Sequence, residues 1–178
     1  MKFFTQTVFL LIICVVSISA QQESSPRFED YKVPLYKGKI HPPRWIRQVK
    51  GGEWRDELNN SLDSPKVNFA GNYFLVAHSF CGEPNCTYYT LTDLSTGRDL
   101  DGFGIFANGD PPLKTRDGRD ILILLGIKPD SKIVIAQYLI DFRQEKPKCR
   151  ERVFLFENGK LKPITGFRNE CRELDKSN

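Results

Sequence analysis

The cysteines are the residues with the clearest chemical potential in this chain. Four of the five form two local couples, Cys81/Cys86 and Cys149/Cys171, while Cys14 lies in an apolar N-terminal run. Four turn-forming residues separate Cys81 from Cys86, so pairing of the flanking strand-like runs would bring the two thiols within disulfide distance. A thiolate metal site usually needs repeated C-x₂₋₄-C spacing or added histidines. We therefore predict the disulfides Cys81–Cys86 and Cys149–Cys171, with no metal and no cofactor.

His78 is the second candidate for chemistry, as a general base. A hydrolase would need a nucleophile and an orienting acid within hydrogen-bond reach of the imidazole. The neighbouring Ser79 points to the opposite face of the same predicted strand, and the chain has no G-x-S-x-G motif. A pocket that joined His78 to Asp93, Asp99 or Asp101 would favour an enzyme. We predict instead a polar strand residue in a protein without catalytic activity.

The acidic residues around positions 99–120 raise the alternative of a calcium site. Calcium loops alternate oxygen ligands as in D-x-[DN]-x-[DN]-G. The segment Asp99-Leu100-Asp101-Gly102 supplies only the beginning of that pattern. Turn formation and solubility explain these acids better, because Asp is a favoured turn residue.

The longest stretch without a strand pattern is the loop of residues 101–112. Loops of this length in compact domains are often functional. Its three large apolar side chains either fold back over an open end of the sheet, as apolar loop residues mostly do, or form an exposed patch. We predict that a partner contacts this loop and the hairpin tip between the first two cysteines. The predicted binding residues are Phe103, Ile105, Phe106, Glu83 and Asn85.

Strand signals dominate the chain after residue 66. The runs rich in β-branched, aromatic or apolar residues are 72–80, 87–94, 121–127, 133–140, 152–157 and 160–164. Asn158-Gly159 is a strong hairpin signal, and Pro129 marks a type I turn. The pattern predicts a mainly β fold, a small antiparallel β-sandwich or partly open barrel built as a meander, over residues 67–172, followed by a flexible tail at 173–178.

Residues 21–66 form an irregular lead-in, because Pro and Gly recur too often for long elements. One short helix is predicted from about Glu53 to Leu62, where Trp54, Leu58 and Leu62 recur every four residues. The tryptophans of the lead-in either anchor a partner or pack on a sheet face and tether it, and we favour the tether.

The first 20 residues have the order of a secretory signal peptide. Lys2 precedes the apolar run from Phe3 to Val16, and small residues end at Ala20, where cleavage is expected. An uncleaved anchor is disfavoured because the run is shorter than the ~20 residues that a bilayer needs. Lipidation at Cys14 is disfavoured by the bulky Ile13 before it.

Export predicts a periplasmic or secreted protein without a stable membrane anchor after cleavage. Removal of residues 1–20 leaves 158 of the 178 residues and lowers the formal charge from +4 to +3. A charge this small, spread among acids, argues against nucleic acid as a ligand. The expected partner is another protein or an envelope component.

Three motifs carry a resemblance to a known group of proteins. They are Asn68-Phe69-Ala70-Gly71-Asn72-Tyr73, the turn Cys81-Gly82-x-x-x-Cys86, and Asp93-Leu94-x-Thr96-Gly97-Arg98. Over about residues 66–100 the chain resembles small exported bacterial proteins of unknown role, which share an N-F-A-G-x-Y strand, a cysteine-flanked turn and a D-x-x-T-G-[KR] hairpin. The resemblance implies a bacterial exported β domain and transfers no catalytic residue.

Two functions follow as hypotheses. The first is a non-catalytic periplasmic binding or inhibitor module, such as an immunity-type protein, because the stapled scaffold holds a loop and lacks a catalytic constellation. The alternative is a small envelope-directed hydrolase that uses His78 and a loop carboxylate.

Overall fold

The computed structural model describes residues 25–81 and 86–174. The predicted signal peptide and the hairpin-tip residues Glu83 and Asn85 lie outside these ranges. Within them, no helix has the length and apolar character needed to cross a membrane.

The described residues form three antiparallel sheets and two short 3₁₀ turns, so the mainly β prediction is confirmed. The strands are β1 (Arg47–Gln48), β2 (Trp54–Arg55), β3 (Ser61–Leu62), β4 (Tyr73–Ser79), β5 (Thr87–Asp93), β6 (Arg98–Leu100), β7 (Leu113–Lys114), β8 (Asp120–Gly126), β9 (Ile133–Ile140), β10 (Lys148–Glu157) and β11 (Lys160–Pro163). The 3₁₀ turns are Phe28–Tyr31 and Gly104–Phe106.

The largest sheet has the order β11-β10-β9-β8-β7, which is the predicted meander. Its turns follow the expected chemistry: Asn158 and Gly159 both have positive φ, as a type I′ hairpin requires, and Ser131 N donates to Lys128 O across the Pro129 turn. Residues 133–136 of the central strand β9 are all fully buried. Both faces of this sheet are therefore covered, as the unbroken apolar run predicted.

The second sheet, β4-β5-β6, packs against one face of the large sheet and encloses the main core. Leu75 and Leu91 contribute from the second sheet, and Val134, Phe154 and Phe156 contribute from the large one. Phe69 is completely buried between them and touches the ring of Phe156, with 5.2 Å between the ring centroids. This layered core confirms the sandwich-like architecture.

The lead-in covers the other face of β4-β5-β6, where Phe74, Val76 and Leu94 are buried. Trp45 is one of the lead-in side chains that pack there, which confirms its predicted role as a tether.

The helix predicted from Glu53 to Leu62 is wrong, because this segment is the hairpin β2-β3. Asn59 adopts a φ of 67° in the turn, a conformation that Asn accepts more readily than most residues. Trp54 and Leu62 are cross-strand partners, while Leu58 lies exposed at the tip. The four-residue spacing of apolar residues was therefore compatible with a hairpin as well as with a helix.

Both ends of the described chain cover the outer face of β9 and β10. Phe28, Tyr31 and Leu174 pack on Ile133, Ile135 and Val153. Arg172 bridges the two end segments, because it binds Glu151 of β10 and also donates to Pro26 O at 2.7 Å. Glu151 is 1% exposed, so this is a buried ion pair.

Candidate functional site

The structure places two of the predicted binding residues inside the core. Phe103 and Phe106 are 2% and 0% exposed, and only Ile105, at 62%, faces solvent. The 3₁₀ turn causes this arrangement, since residues three apart in such a turn lie on the same side. The loop caps the core, and neither phenylalanine ring is available to a partner.

A buried asparagine fixes this loop against the large sheet. Asn108 donates through Nδ2 to Ile123 O at 3.0 Å and accepts from Ile123 N at 2.8 Å. The backbone of Asn108 also pairs with Thr87 in both directions. The loop between β6 and β7 is therefore attached to both β5 and β8.

Both predicted disulfides are formed. The Cα–Cα distances are 5.6 Å for Cys81–Cys86 and 5.8 Å for Cys149–Cys171. If the register of β10 and β11 continued, Arg168 would lie opposite Cys149, but Arg168 pairs with Glu151 instead. Residue 164 lies opposite residue 153, and residue 168 lies opposite residue 151, so the chain after β11 has two more residues here than the facing part of β10. This shift brings Cys171 close to Cys149.

His78 lies in a buried chain of hydrogen bonds. Its Nδ1 lies 2.8 Å from Asp56 Oδ2, and its Nε2 lies 2.7 Å from Thr90 Oγ1. His78 is 1% exposed and Asp56 is 0% exposed. Val76 pairs with Thr90 and His78 pairs with Tyr88 across β4 and β5, so the imidazole and the hydroxyl share one face of the sheet.

Asp56 follows β2 and is held as an ionised carboxylate. Asn60 donates to it twice, from N at 2.7 Å and from Nδ2 at 2.9 Å. Burial raises the pKa of Asp56, but the hydrogen bonds from His78 and Asn60 lower it by more, so the pKa lies below its ordinary value of 3.8. A carboxylate only accepts, so Nδ1 of His78 donates to it and, in the neutral ring, Nε2 accepts from the Thr90 hydroxyl.

The order of acid, imidazole and hydroxyl is the one that activates a hydroxyl nucleophile in hydrolases. Here two aromatic rings pack against the imidazole. The Tyr88 ring is stacked on it, with 4.5 Å between the ring centroids, and the Trp45 ring is nearly perpendicular to it, with 4.8 Å between the centroids. Two surface cavities formed by the described residues have neither His78 nor Thr90 in their walls. The arrangement joins the lead-in to β4 and β5, and we call Asp56, His78 and Thr90 the His78 clasp.

The loop acids considered for His78 lie elsewhere. Asp93 accepts from Asn72 and Ser95, and Asp99 accepts from Trp45 Nε1 at 3.1 Å. Sequence reasoning missed Asp56 because it placed that residue in a helix. Among the described residues, no group of three or more His, Cys, Asp or Glu side chains could hold a metal ion.

A second arrangement lies on one face of the large sheet, over β9 and β10, where Phe167 follows β11. Phe167 is 53% exposed, although its ring packs against two side chains. Its centroid lies 5.3 Å from the centroid of the Tyr138 ring and 5.1 Å from Cζ of Arg152. Tyr138 pairs with Arg150, and Lys148, Arg150 and Arg152 alternate along one face of β10. We call these five residues the Phe167 surface.

The Phe167 surface is positively charged. Lys148 and Arg150 are exposed, and neither makes an ion pair with any described residue. Arg152 donates from Nε to Thr165 O at 3.1 Å, which orients its guanidinium over the Phe167 ring. Aromatic residues and arginine are the types most enriched at the energetic centres of protein interfaces.

We compared the chain with protein families, with curated proteins and with solved structures, and none of them matches it. Its function is therefore inferred from the His78 clasp and the Phe167 surface.

Proposed function

We propose that this protein is an exported, non-catalytic binding module of the periplasm or the extracellular medium, which captures an acidic partner protein as an inhibitor or immunity protein does. The observation that carries the proposal is the Phe167 ring, which is half-exposed to solvent and yet fixed by Tyr138 and Arg152. An aromatic side chain held in this way can enter a pocket of a partner at little cost in conformational entropy.

The backbone under Phe167 is also constrained. Glu151 and Arg168 exchange two backbone hydrogen bonds, of 3.0 and 2.9 Å. Three residues beyond Arg168, the disulfide Cys149–Cys171 joins the same segment to β10. Before the ring, Ile164 N donates to Val153 O at 2.9 Å, so the segment that carries Phe167 is attached to the sheet on both sides of the ring, which favours a preformed contact site.

The charge of the surface defines the partner. Lys148, Arg150 and Arg152 place three cations beside two aromatic rings, and β10 has no acidic residue on this face. A partner that presents carboxylates around an apolar or aromatic group would complement both features. Electrostatic attraction of this kind raises the association rate and weakens as salt increases.

Photo-crosslinking from position 167 tests the proposal. A photoreactive phenylalanine analogue in place of Phe167 should give a protein adduct when the full chain is expressed in its native host, and mass spectrometry should identify an acidic partner. The same analogue in place of Leu58, which is 45% exposed, is the matched control and should not give that adduct.

Charge reversal provides the second part of the test. Arg150→Glu should abolish the adduct. Arg116→Glu, which reverses a charge in the exposed turn between β7 and β8, should leave it unchanged. An adduct of equal yield from positions 167 and 58, or one that survives Arg150→Glu, would refute the proposed surface. Crosslinking to an envelope polymer instead of a protein would refute the proposed class of partner.

Export and the bacterial resemblance belong to this proposal, and the disulfides support export. The disulfides suit an oxidising compartment, where they persist. The N-F-A-G-x-Y motif has structural tasks: Phe69 fills the core, Ala70 and Gly71 turn the chain with positive φ, and Asn68 makes two hydrogen bonds with the Leu75 backbone. Mass spectrometry of the protein from its native compartment should find a chain that begins near Gln21, and an intact Met1 would contradict export with cleavage.

The hydrolase remains the second candidate because the His78 clasp has the order of acid, imidazole and hydroxyl. Its nucleophile would be Thr90, which the imidazole contacts at 2.7 Å. Thr90→Val keeps the shape of the side chain and removes the hydroxyl. Loss of a measured turnover of peptidoglycan, lipid or peptide in this variant, at unchanged stability, would favour the hydrolase over the binding module.

A further inference from the structure

The T-G-[KR] turn between β5 and β6 forms one wall of a surface cavity of about 630 Å³. The other wall is the lead-in around residues 41–44. The cavity is lined by His41, Pro42, Arg44, Thr96, Gly97, Arg98 and Asp99. A volume of this size lies within the range that small ligands occupy in proteins.

The two walls are joined closely at their base. His41 N donates to Leu94 O at 2.9 Å. Gly97 has a φ of 72°, and a Cβ atom at this position would lie 3.2 Å from the Cβ of His41. A side chain at position 97 would therefore be strained by the turn and would press on His41, which accounts for the glycine here.

The cavity carries an excess of positive charge. Arg44 and Arg98 are both exposed, and neither guanidinium has a hydrogen bond or an ion pair with a described residue. Asp99 is the single acid of the lining, and its Oδ1 already accepts from Trp45 Nε1 at 3.1 Å and from Thr92 Oγ1 at 2.6 Å. Two arginines thus line the cavity together with one carboxylate, which already accepts two hydrogen bonds.

We propose that this cavity binds a small molecule through an oxyanion group, a carboxylate or a phosphate, held by Arg44 and Arg98. Guanidinium groups match the planar, two-oxygen geometry of such anions and form charge-assisted hydrogen bonds with them. His41 and the Thr96 hydroxyl supply further polar groups in the same lining. This site is distinct from the Phe167 surface and shares no residue with it.

Trp45 provides a built-in reporter for the site. Its indole donates to Asp99 on the cavity wall, so an anion bound beside Asp99 changes the environment of the ring. Trp54→Phe removes the other tryptophan of the chain, so that the fluorescence reports Trp45 alone. The full chain in this background is then titrated with sodium citrate and, separately, with sodium phosphate, at constant ionic strength maintained with sodium chloride.

Saturable quenching or a spectral shift with either anion supports the site, and the anion with the higher affinity identifies the carboxylate or phosphate class. Arg44→Ala and Arg98→Ala should each weaken binding by about tenfold or more, since a hydrogen bond to a charged group contributes this much to affinity. Arg116→Ala, which removes the same charge elsewhere, should leave binding unchanged. A response that both cavity variants retain, or no response beyond that of chloride, would overturn the proposal.

Discussion

Replacement of Asp56 by Ala tests whether the His78 clasp attaches the lead-in to the sheet. Asp56 is fully buried and accepts hydrogen bonds from His78 and from both the N and the Nδ2 of Asn60. The alanine leaves the His78 and Asn60 donors without their acceptor in the protein interior. Each such buried group costs about 1–3 kcal/mol, so we expect the free energy of unfolding to fall by about 3–5 kcal/mol.

Urea denaturation measures this loss, with fluorescence as the probe because Trp45 packs edge-on against His78. We expect the midpoint to fall, and the fluorescence transition to begin at a lower urea concentration than the loss of β-sheet circular dichroism, because the lead-in is released first. Asp63→Ala is the matched control: Asp63 forms only an exposed ion pair with Lys66, worth at most about 1 kcal/mol. Equal stability of the Asp56 and Asp63 variants would refute the clasp as the attachment.

Three further predictions concern the core, the acid response and the second disulfide. Phe106→Ala should lower the free energy of unfolding by about 3–5 kcal/mol in urea, because it empties a fully buried site, whereas Ile105→Ala on the exposed side of the same turn should change it by less than about 0.5 kcal/mol. Burial raises the pKa of Glu151, but hydrogen bonds from its arginine partner lower it by more, so the folded pKa lies below the ordinary 4.5. The stability that Glu151 contributes is therefore complete above about pH 4.5 and is lost as the pH falls through the lowered folded value; the melting temperature should show this loss, and Glu151→Gln should reduce its pH dependence. Replacement of Cys149 and Cys171 by Ser should cost about 3 kcal/mol in urea, because the bridge closes a loop with a sequence separation of 22; a loss no larger than that of an exposed Ser substitution would contradict this estimate.

The sheet could be predicted from the sequence because its signals are local. Residues 133–140 were expected as a strand and are β9, and the turns at Pro129 and Asn158-Gly159 join the expected strands. The disulfides could be predicted for the same reason, because the two cysteines of each pair are near each other in the sequence. The spacing of Trp54, Leu58 and Leu62 fits both a helix and a hairpin, so the sequence alone did not distinguish the two structures.

The candidate sites were beyond sequence reasoning because they depend on distant contacts. Asp56 and His78 are 22 residues apart and meet only after the lead-in folds over β4 and β5. The burial of Phe106 and the exposure of Phe167 depend on where the sheets end, which periodicity does not reveal. An aromatic residue in a loop and one beside an edge strand have the same local sequence character, so only the assembled fold distinguishes them.

The bridge that Arg172 makes between Glu151 and Pro26 also constrains the order in which the molecule assembles. Pro26 and Arg172 are separated by 146 positions in the chain, so the contact between them forms only when almost the whole chain is available. Until then the apolar outer face of β9 and β10 lacks the part of its covering that Leu174 supplies. In the proposed exported protein, which crosses a membrane from its N-terminus, this face therefore stays partly uncovered until the last segment has arrived, and a chaperone that shields it would protect the protein during that interval.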